Sequence, residues 1–397
     1  MRPVKAVDVM VGSTRHAVSL YVLILLTACS NNPPGAKASP KPLSSPQAFV
    51  PRDYGPPQAS TPLLYMHDPN NGAWLVGLDW QGNPPTTVKP KETEAQQAPD
   101  GSLFQVHPGV SAGVWTGKFL DRFGQPLKAV ALPKGIMAGF DMWADDSRHV
   151  CFMSYDPTDS SWRVVVSGPE APTQVLAVMT VDAQRYRYLS VAACSPGSDR
   201  AVVVRTAFEF ASHNVVAWVT DTWAVRLSDG TIVAHRSYET HTTANVVASA
   251  DAKYIAENSL NAGEVGTQRG TVLSIVRRVS DWSYLKTLGA PVEAFSGDGS
   301  LVFVAPAVDT TQGGLNHGAT VMDWRSGATL WHETGADYFG RPTAQPGGRD
   351  FAVARRAGLS LPSDSCVGWT CGSPRRIEII SGDGSAITLP DLYIPAW

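Results

Sequence analysis

Residues 296–304 read SGDGSLVFV, a turn of Ser, Gly and Asp followed at once by four apolar residues. Gly at such a turn supplies the positive φ that a tight reversal needs, and the apolar run has the length and β-branched content of a strand. The same device recurs as APDGSLFQV (98–106), ADDSRHVCFM (144–153), SPGSDRAVVV (195–204), SADAKYIAE (249–257) and QPGGRDFAV (345–353). Successive copies begin 46, 51, 54, 47 and 49 residues apart. Internal similarity at that period, built from short strands, predicts a series of small antiparallel sheets, each stacked on its neighbours.

A second signature alternates with the first: an apolar strand, a tight turn and another apolar strand. It reads WLVGLDWQGNPPTTV (74–88), KFLDRFGQPLKAVAL (118–132), WRVVVSGPEAPTQVLAV (162–178), WAVRLSDGTIVAH (223–235), LSIVRRVSDWSYLKTL (273–288), ATVMDWRSGATLWHE (319–333) and RIEIISGDGSAITLP (376–390). Asp229-Gly230 and Asp383-Gly384 are hairpin dipeptides. Labelling four strands a to d from the inside outward, the first signature joins a to b and the second joins c to d. There are seven of the second and six of the first, so residues 63–88 lack an inner strand. The tail LYIPAW (392–397) has no sheet of its own. The expected fold is therefore all-β: a single β-propeller over 63–397, with seven four-stranded blades and the C-terminal strand completing the first. A β-sandwich, or six blades with a loose start, is the alternative.

Composition agrees with an all-β chain. Of 397 residues, 43% are hydrophobic and only 17% charged, with 35 Gly and 30 Pro. The net charge is −3 and no basic patch stands out, which argues against a nucleic-acid partner. No HExxH, P-loop or dinucleotide fingerprint occurs, and the nine His are scattered. No cofactor is indicated.

The N-terminus carries Arg2, Lys5 and Arg15, then the apolar run AVSLYVLILL (17–26), too short to span a bilayer but suited to an export signal. Met10 offers an alternative start. Residues 30–62 contain nine Pro and few large apolar side chains, the composition of an extended linker. The expected division is thus 1–28 signal peptide, 29–62 anchor and linker, and 63–397 propeller.

Leu26-Thr27-Ala28-Cys29 resembles the bacterial lipobox. That resemblance implies cleavage before Cys29, a covalent lipid on its thiol and acylation of its new amino group. Ser30 stands where Asp often retains Gram-negative lipoproteins at the inner membrane, so the outer membrane is favoured in such a host. The alternatives are an ordinary cleaved signal or an N-terminal anchor. The recurrent Ser-Pro-Asp-Gly turns are similar to those of TolB-like and WD-repeat-like propellers, which implies the fold but no partner.

Long b–c segments are expected at 205–222, 257–271, 305–318 and 355–375, all on one face with the d–a loops. They carry Phe208, Phe210, His213, Asn258, Asn261, Asn316, His317 and Trp369 as candidates for a binding face. Cys366 and Cys371, five apart in an exported chain, suggest a small disulfide loop. Cys151 and Cys194 fall on a b strand and on the next blade's a strand, where they either pair or remain two buried thiols. On inner strands, Asp141 and Glu293 occupy equivalent places, with Arg341 and His241 nearby, and are weak candidates for a cation in a central channel. Two functions follow. One is a lipid-anchored scaffold that binds an envelope protein or a glycan. The other is a propeller enzyme with a divalent cation, such as a lactonase-like hydrolase.

Overall fold

The structure, a computed structural model, describes residues 62–68, 71–82, 86–88, 95–106, 110–111, 114–122, 125–127, 130–131, 136–137, 142–156, 160–169, 174–179, 189–211, 215–240, 245–260, 272–305, 317–356, 375–389 and 394–395. All lie within the unit spanning residues 51–397. Every regular element among them is a β-strand.

Six antiparallel sheets follow one another along the chain. The first joins β1 (Leu63–Asp68), β2 (Asn71–Asp79) and β3 (Thr86–Val88) to β29 (Ile394–Pro395) in the order β29-β1-β2-β3. The second contains β4 (Ala95–Gln97), β5 (Leu103–Val106), β6 (Val110–Ser111), β7 (Val114–Asp121) and β8 (Val130–Ala131), ordered β4-β5-β7-β6 with β8 also on β7. The third contains β10 (Met142–Trp143), β11 (Val150–Asp156), β12 (Ser161–Ser167) and β13 (Gln174–Met179) in that order, with β9 (Ile136–Met137) also on β11. The fourth is β14 (Ser190–Ser195), β15 (Arg200–Ala211), β16 (Val215–Arg226) and β17 (Ile232–Thr240). The fifth is β18 (Asn245–Ala248), β19 (Tyr254–Leu260), β20 (Val272–Arg278) and β21 (Tyr284–Leu288). The sixth has seven strands: β22 (Val292–Phe295), β23 (Leu301–Val304), β24 (His317–Asp323), β25 (Thr329–Ala344), β26 (Phe351–Arg356), β27 (Arg375–Ile380) and β28 (Ala386–Thr388).

Four-strand meanders of this kind are the form of propeller blades. The sixth sheet contains two of them, because β25 runs for 16 residues. Its first part pairs with β24 and its last with β26, so one strand closes one meander and opens the next. At the other extreme of the chain, β29 lies beside β1 through Met66↔Pro395 and His67↔Ile394. β29 thus forms the edge of the first sheet next to β1.

The a–b turns explain why the first signature repeats. In the turn after β22, the Ser296 amide donates to the Leu301 carbonyl (3.0 Å) and the Gly299 amide to the Ser296 carbonyl (2.8 Å). Ser296 Oγ accepts from the Leu301 amide and donates to Asp298, which in turn accepts from the Ser300 amide. Gly299 has φ +68°. The same pair of backbone bonds recurs at Ala98, Ala144, Ser249 and Gln345. Ser147 and Ala252 take the Gly299 position at φ 57° and 54°, a conformation that costs a residue with a Cβ about 1 kcal/mol. These turns also touch each other. The Asp100 amide donates to Ser147 Oγ, the Asp145 amide to the Cys194 carbonyl, and the Asp298 amide to the Gly348 carbonyl.

Apolar clusters join successive sheets face to face. Met153, Trp162 and Val164 of the third sheet meet Val191, Val203 and Trp223 of the fourth. Val202 and Val204 of the fourth meet Ile255 and Trp282 of the fifth. Ala256, Val276 and Leu288 of the fifth meet Val292 and Val302 of the sixth. Leu64, Leu78 and Trp80 of the first sheet pack on Ala352, Ile377 and Ile379 of the last meander. Each buried large aliphatic side chain contributes roughly 1.5–3 kcal/mol. A strand buried on both faces reads as a continuous apolar run, and Leu301–Val304 is buried at every position.

Cys151 and Cys194 form a disulfide from β11 to β14, with Cα atoms 6.3 Å apart. This decides between the pairing and the two free thiols that the sequence left open. Cys29, Cys366 and Cys371 lie outside the described residues.

Candidate functional site

Of the binding-face candidates that the sequence singled out, Phe208, Phe210, Asn258 and His317 are among the described residues. Residues 205–222, expected as a loop, are instead mostly paired strand. β15 and β16 are 12 residues each, whereas the b strands of the other meanders have four to seven. Their pairing runs without a break from Arg200↔Arg226 to Ala211↔Val215, about 40 Å at the usual rise per residue. β17 accompanies β16 as far as Trp218↔Thr240. Phe208 stands opposite Trp218, and Phe210 opposite Val216. The two-residue period of a strand places these four positions on one face of the sheet. His213 lies outside the described residues.

The base of this extension is held by charge. Arg205 Nη1 donates to Asp221 Oδ2 at 3.1 Å, with both side chains almost fully buried. The other Asp221 oxygen lies 3.1 Å from Nε2 of His235, whose ring stacks on Trp223 at a centroid distance of 5.0 Å. In the next seam, Glu257 is buried and takes one arginine on each oxygen: Arg236 of the fourth sheet and Arg277 of its own, both at 2.8 Å. An ion triad of this kind fixes the sheets in register. Removing its shared carboxylate would leave two arginines without their counter-charge. The sequence reading flagged none of Arg205, Asp221, His235, Arg236, Glu257 and Arg277. Their partners come from different strands, and no spacing rule links them.

Asn258 is buried. Its Nδ2 donates to the Val292 carbonyl (2.8 Å), and its Oδ1 accepts from the Val292 amide (3.0 Å) and from Ser274 Oγ. Through these bonds its amide clasps β19 to the first strand of the next sheet. Immediately beside it, Glu293 sits where the β22–β23 register shifts between Val292 and Ala294, a bulge on an inner strand. Burial pushes the Glu293 carboxyl above the ordinary glutamate range. No described group pairs with it, and it does not by itself make a cation site. Among the described residues, no three His, Cys, Asp or Glu side chains gather as metal ligands. Asp141, His241, Asn261, Asn316 and Trp369 lie outside the described residues, and His317 begins β24.

At the a–b end, burial raises the Asp145 carboxyl. Ser195 Oγ, donating at 2.6 Å, opposes that shift, while the negative charges of Asp146 and Asp251 reinforce it. Asp251 belongs to the turn of the fifth sheet and Asp145 to that of the third, so these turns converge on one side of the molecule.

No family profile matches the chain, and no curated protein sequence matches it. Among solved structures, the chain is similar to the β-propeller domain of the Trilobed protease from Pyrococcus furiosus. The identity is 13%, the TM-score 0.49, and 84% of this chain and 93% of that one are covered. TolB from Acinetobacter baumannii is similar at 14% identity and a TM-score of 0.37, covering 78% of this chain and 65% of that one. The hydrazine synthase of Kuenenia stuttgartiensis shares 13% identity at a TM-score of 0.40, covering 84% and 99%. Likenesses this distant carry no functional argument, and the strand pairings above remain the basis for the fold.

Proposed function

We propose that this chain is a lipid-anchored, extracytoplasmic β-propeller of seven blades, closed by β29 beside β1, that acts as a binding scaffold in the cell envelope. The observation that carries the reading is the β15–β16 extension, which reaches well past the strands of its neighbours. A paired, charge-braced hairpin is ordered before it meets a partner, so little conformational entropy is lost on association. The row Phe208, Trp218, Phe210 and Val216 supplies the aromatic and aliphatic content typical of interface centres. Its occupant is an envelope protein or a glycan.

The Cys151–Cys194 disulfide supports an oxidising compartment, since such bonds are rare in cytosolic proteins. The lipobox-like Leu26–Cys29 supports anchoring through Cys29, and the Pro-rich 30–62 would hold the folded body away from the bilayer. In-cell crosslinking of the intact lipoprotein, compared with a variant in which 208–218 is replaced by a two-residue turn joining the paired Ala207 and Val219, tests the display role. The shortened variant is expected to lose its crosslinked neighbours while keeping its thermal stability. Unchanged crosslinks would refute the assignment of the hairpin. Separately, Cys29→Ala is expected to abolish lipid labelling and release the protein from the membrane fraction. Retention with normal migration would contradict the anchor.

A further inference from the structure

Where the fifth sheet meets the first meander of the sixth, a cleft of about 440 Å³ opens between them, within the size range of small-ligand sites. Leu288, Val304 and Met322 line it with apolar surface continuous with the buried cluster that joins the two sheets. Its polar groups include Lys286 on β21, Thr320 on β24 and His332 on β25. Thr320 Oγ1 and His332 Nδ1 lie 2.8 Å apart, which holds the ring and leaves Nε2 as its remaining polar atom.

Charge is unbalanced here. No Asp or Glu is among the described residues that line the cleft, although the chain as a whole is net negative. The Lys286 ammonium makes one long hydrogen bond, 3.4 Å to the Arg325 carbonyl, and no described carboxylate pairs with it. An ammonium beside apolar surface gains most from a ligand that brings a counter-charge and an apolar body together.

We infer that this cleft binds a small amphipathic anion, with an aliphatic body against Leu288, Val304 and Met322 and a carboxylate on Lys286 beside the His332 ring edge. The site is independent of the hairpin end and does not rest on the scaffold reading. An acidic protein segment is the competing occupant.

Octanoate, titrated calorimetrically into the full chain, is the probe. Gly289 lines the cleft, its φ is not left-handed, and a Cβ placed there meets no atom within 4 Å. Gly289→Phe therefore fills the cleft from a position that the fold leaves open. Octanoate is expected to bind, Lys286→Gln to weaken it about tenfold, octan-1-ol to bind at least about tenfold more weakly, and Gly289→Phe to remove binding at unchanged Tm. The inference is overturned by the absence of octanoate binding at millimolar concentration. Equal affinity in Lys286→Gln and wild type would also overturn it, and that readout stands even if Gly289→Phe folds poorly. So would an acidic peptide that binds where octanoate does not.

Discussion

Two seams of the molecule join the same pair of strand positions by different chemistry. Between the third and fourth sheets, b strand β11 is tied to a strand β14 by the Cys151–Cys194 disulfide. Between the fifth and sixth, b strand β19 is tied to a strand β22 by the Asn258 amide on both backbone groups of Val292, with Ser274 completing the cluster. Both seams also carry a buried apolar cluster. Packing alone is non-directional and allows one sheet to slide on the next. A bond from b to the following a removes that freedom, and a covalent or a polar link will serve.

The disulfide should matter most. It closes a separation of 43 residues, for which loop-closure entropy alone corresponds to about 4 kcal/mol. The double variant Cys151→Ala/Cys194→Ala is expected to lose roughly that amount in denaturant unfolding. A loss below about 1 kcal/mol would place the strength of this seam in its apolar cluster instead. Next comes Glu257→Ala, which leaves Arg236 and Arg277 without their shared counter-charge. The expected cost is about 3 kcal/mol, and Glu257→Gln should recover part of it by keeping the shape and some hydrogen bonds. If the two variants unfold identically to wild type, the triad is solvated and contributes nothing.

Asn258→Ala removes the side-chain donor to the buried Val292 carbonyl and one of the two side-chain acceptors of its amide, leaving Ser274 Oγ as the other, and should cost about 2 kcal/mol. Asn258→Asp sharpens the point. It retains the acceptor but removes the donor to the Val292 carbonyl, so it should not restore wild-type stability. The smallest effect concerns Glu293. Its folded pKa is raised by burial, so in the window above the ordinary glutamate value of 4.5 the unfolded chain gives up its proton first. Deprotonation then favours the unfolded state, and stability falls as pH rises through that window. Glu293→Gln is expected to be more stable than wild type at pH 7, and the gain should vanish as the pH falls below the ordinary glutamate value. A gain independent of pH would remove burial of the charge as its cause.

The repeat was legible because each a–b turn needs the same few atoms. A hydroxyl or small residue opens the turn, an Asp caps it, and a residue tolerant of positive φ follows, so Ser296, Asp298 and Gly299 leave a trace in sequence. The b–c hairpin was read as a loop for the opposite reason. Its alternation of Val204, Thr206, Phe208 and Phe210 is strand-like, but a strand of 12 residues exceeds the usual length and was cut short by the expected repeat. Cys151 and Cys194 sat at compatible strand positions, yet whether two thiols meet depends on how adjacent sheets stack, which no single strand encodes. Asn258 looked like a loop amide because its partner is backbone, and a backbone acceptor has no letter in the sequence. The Glu257 triad was hidden for a related reason: Arg236 reaches it from the preceding sheet.

The central claim is that the last strand returns to the first sheet, and the pair His67↔Ile394 tests it most directly. Directly opposed residues of antiparallel strands have Cα atoms about 4.5–5.5 Å apart, within the range a disulfide bridges. In the double variant His67→Cys/Ile394→Cys, purified under mild oxidation and digested without reduction, mass spectrometry should recover the two peptides linked within one chain, with a raised Tm. Cysteines that remain free, or that link only between chains, would contradict the return of β29 and with it the proposed closure.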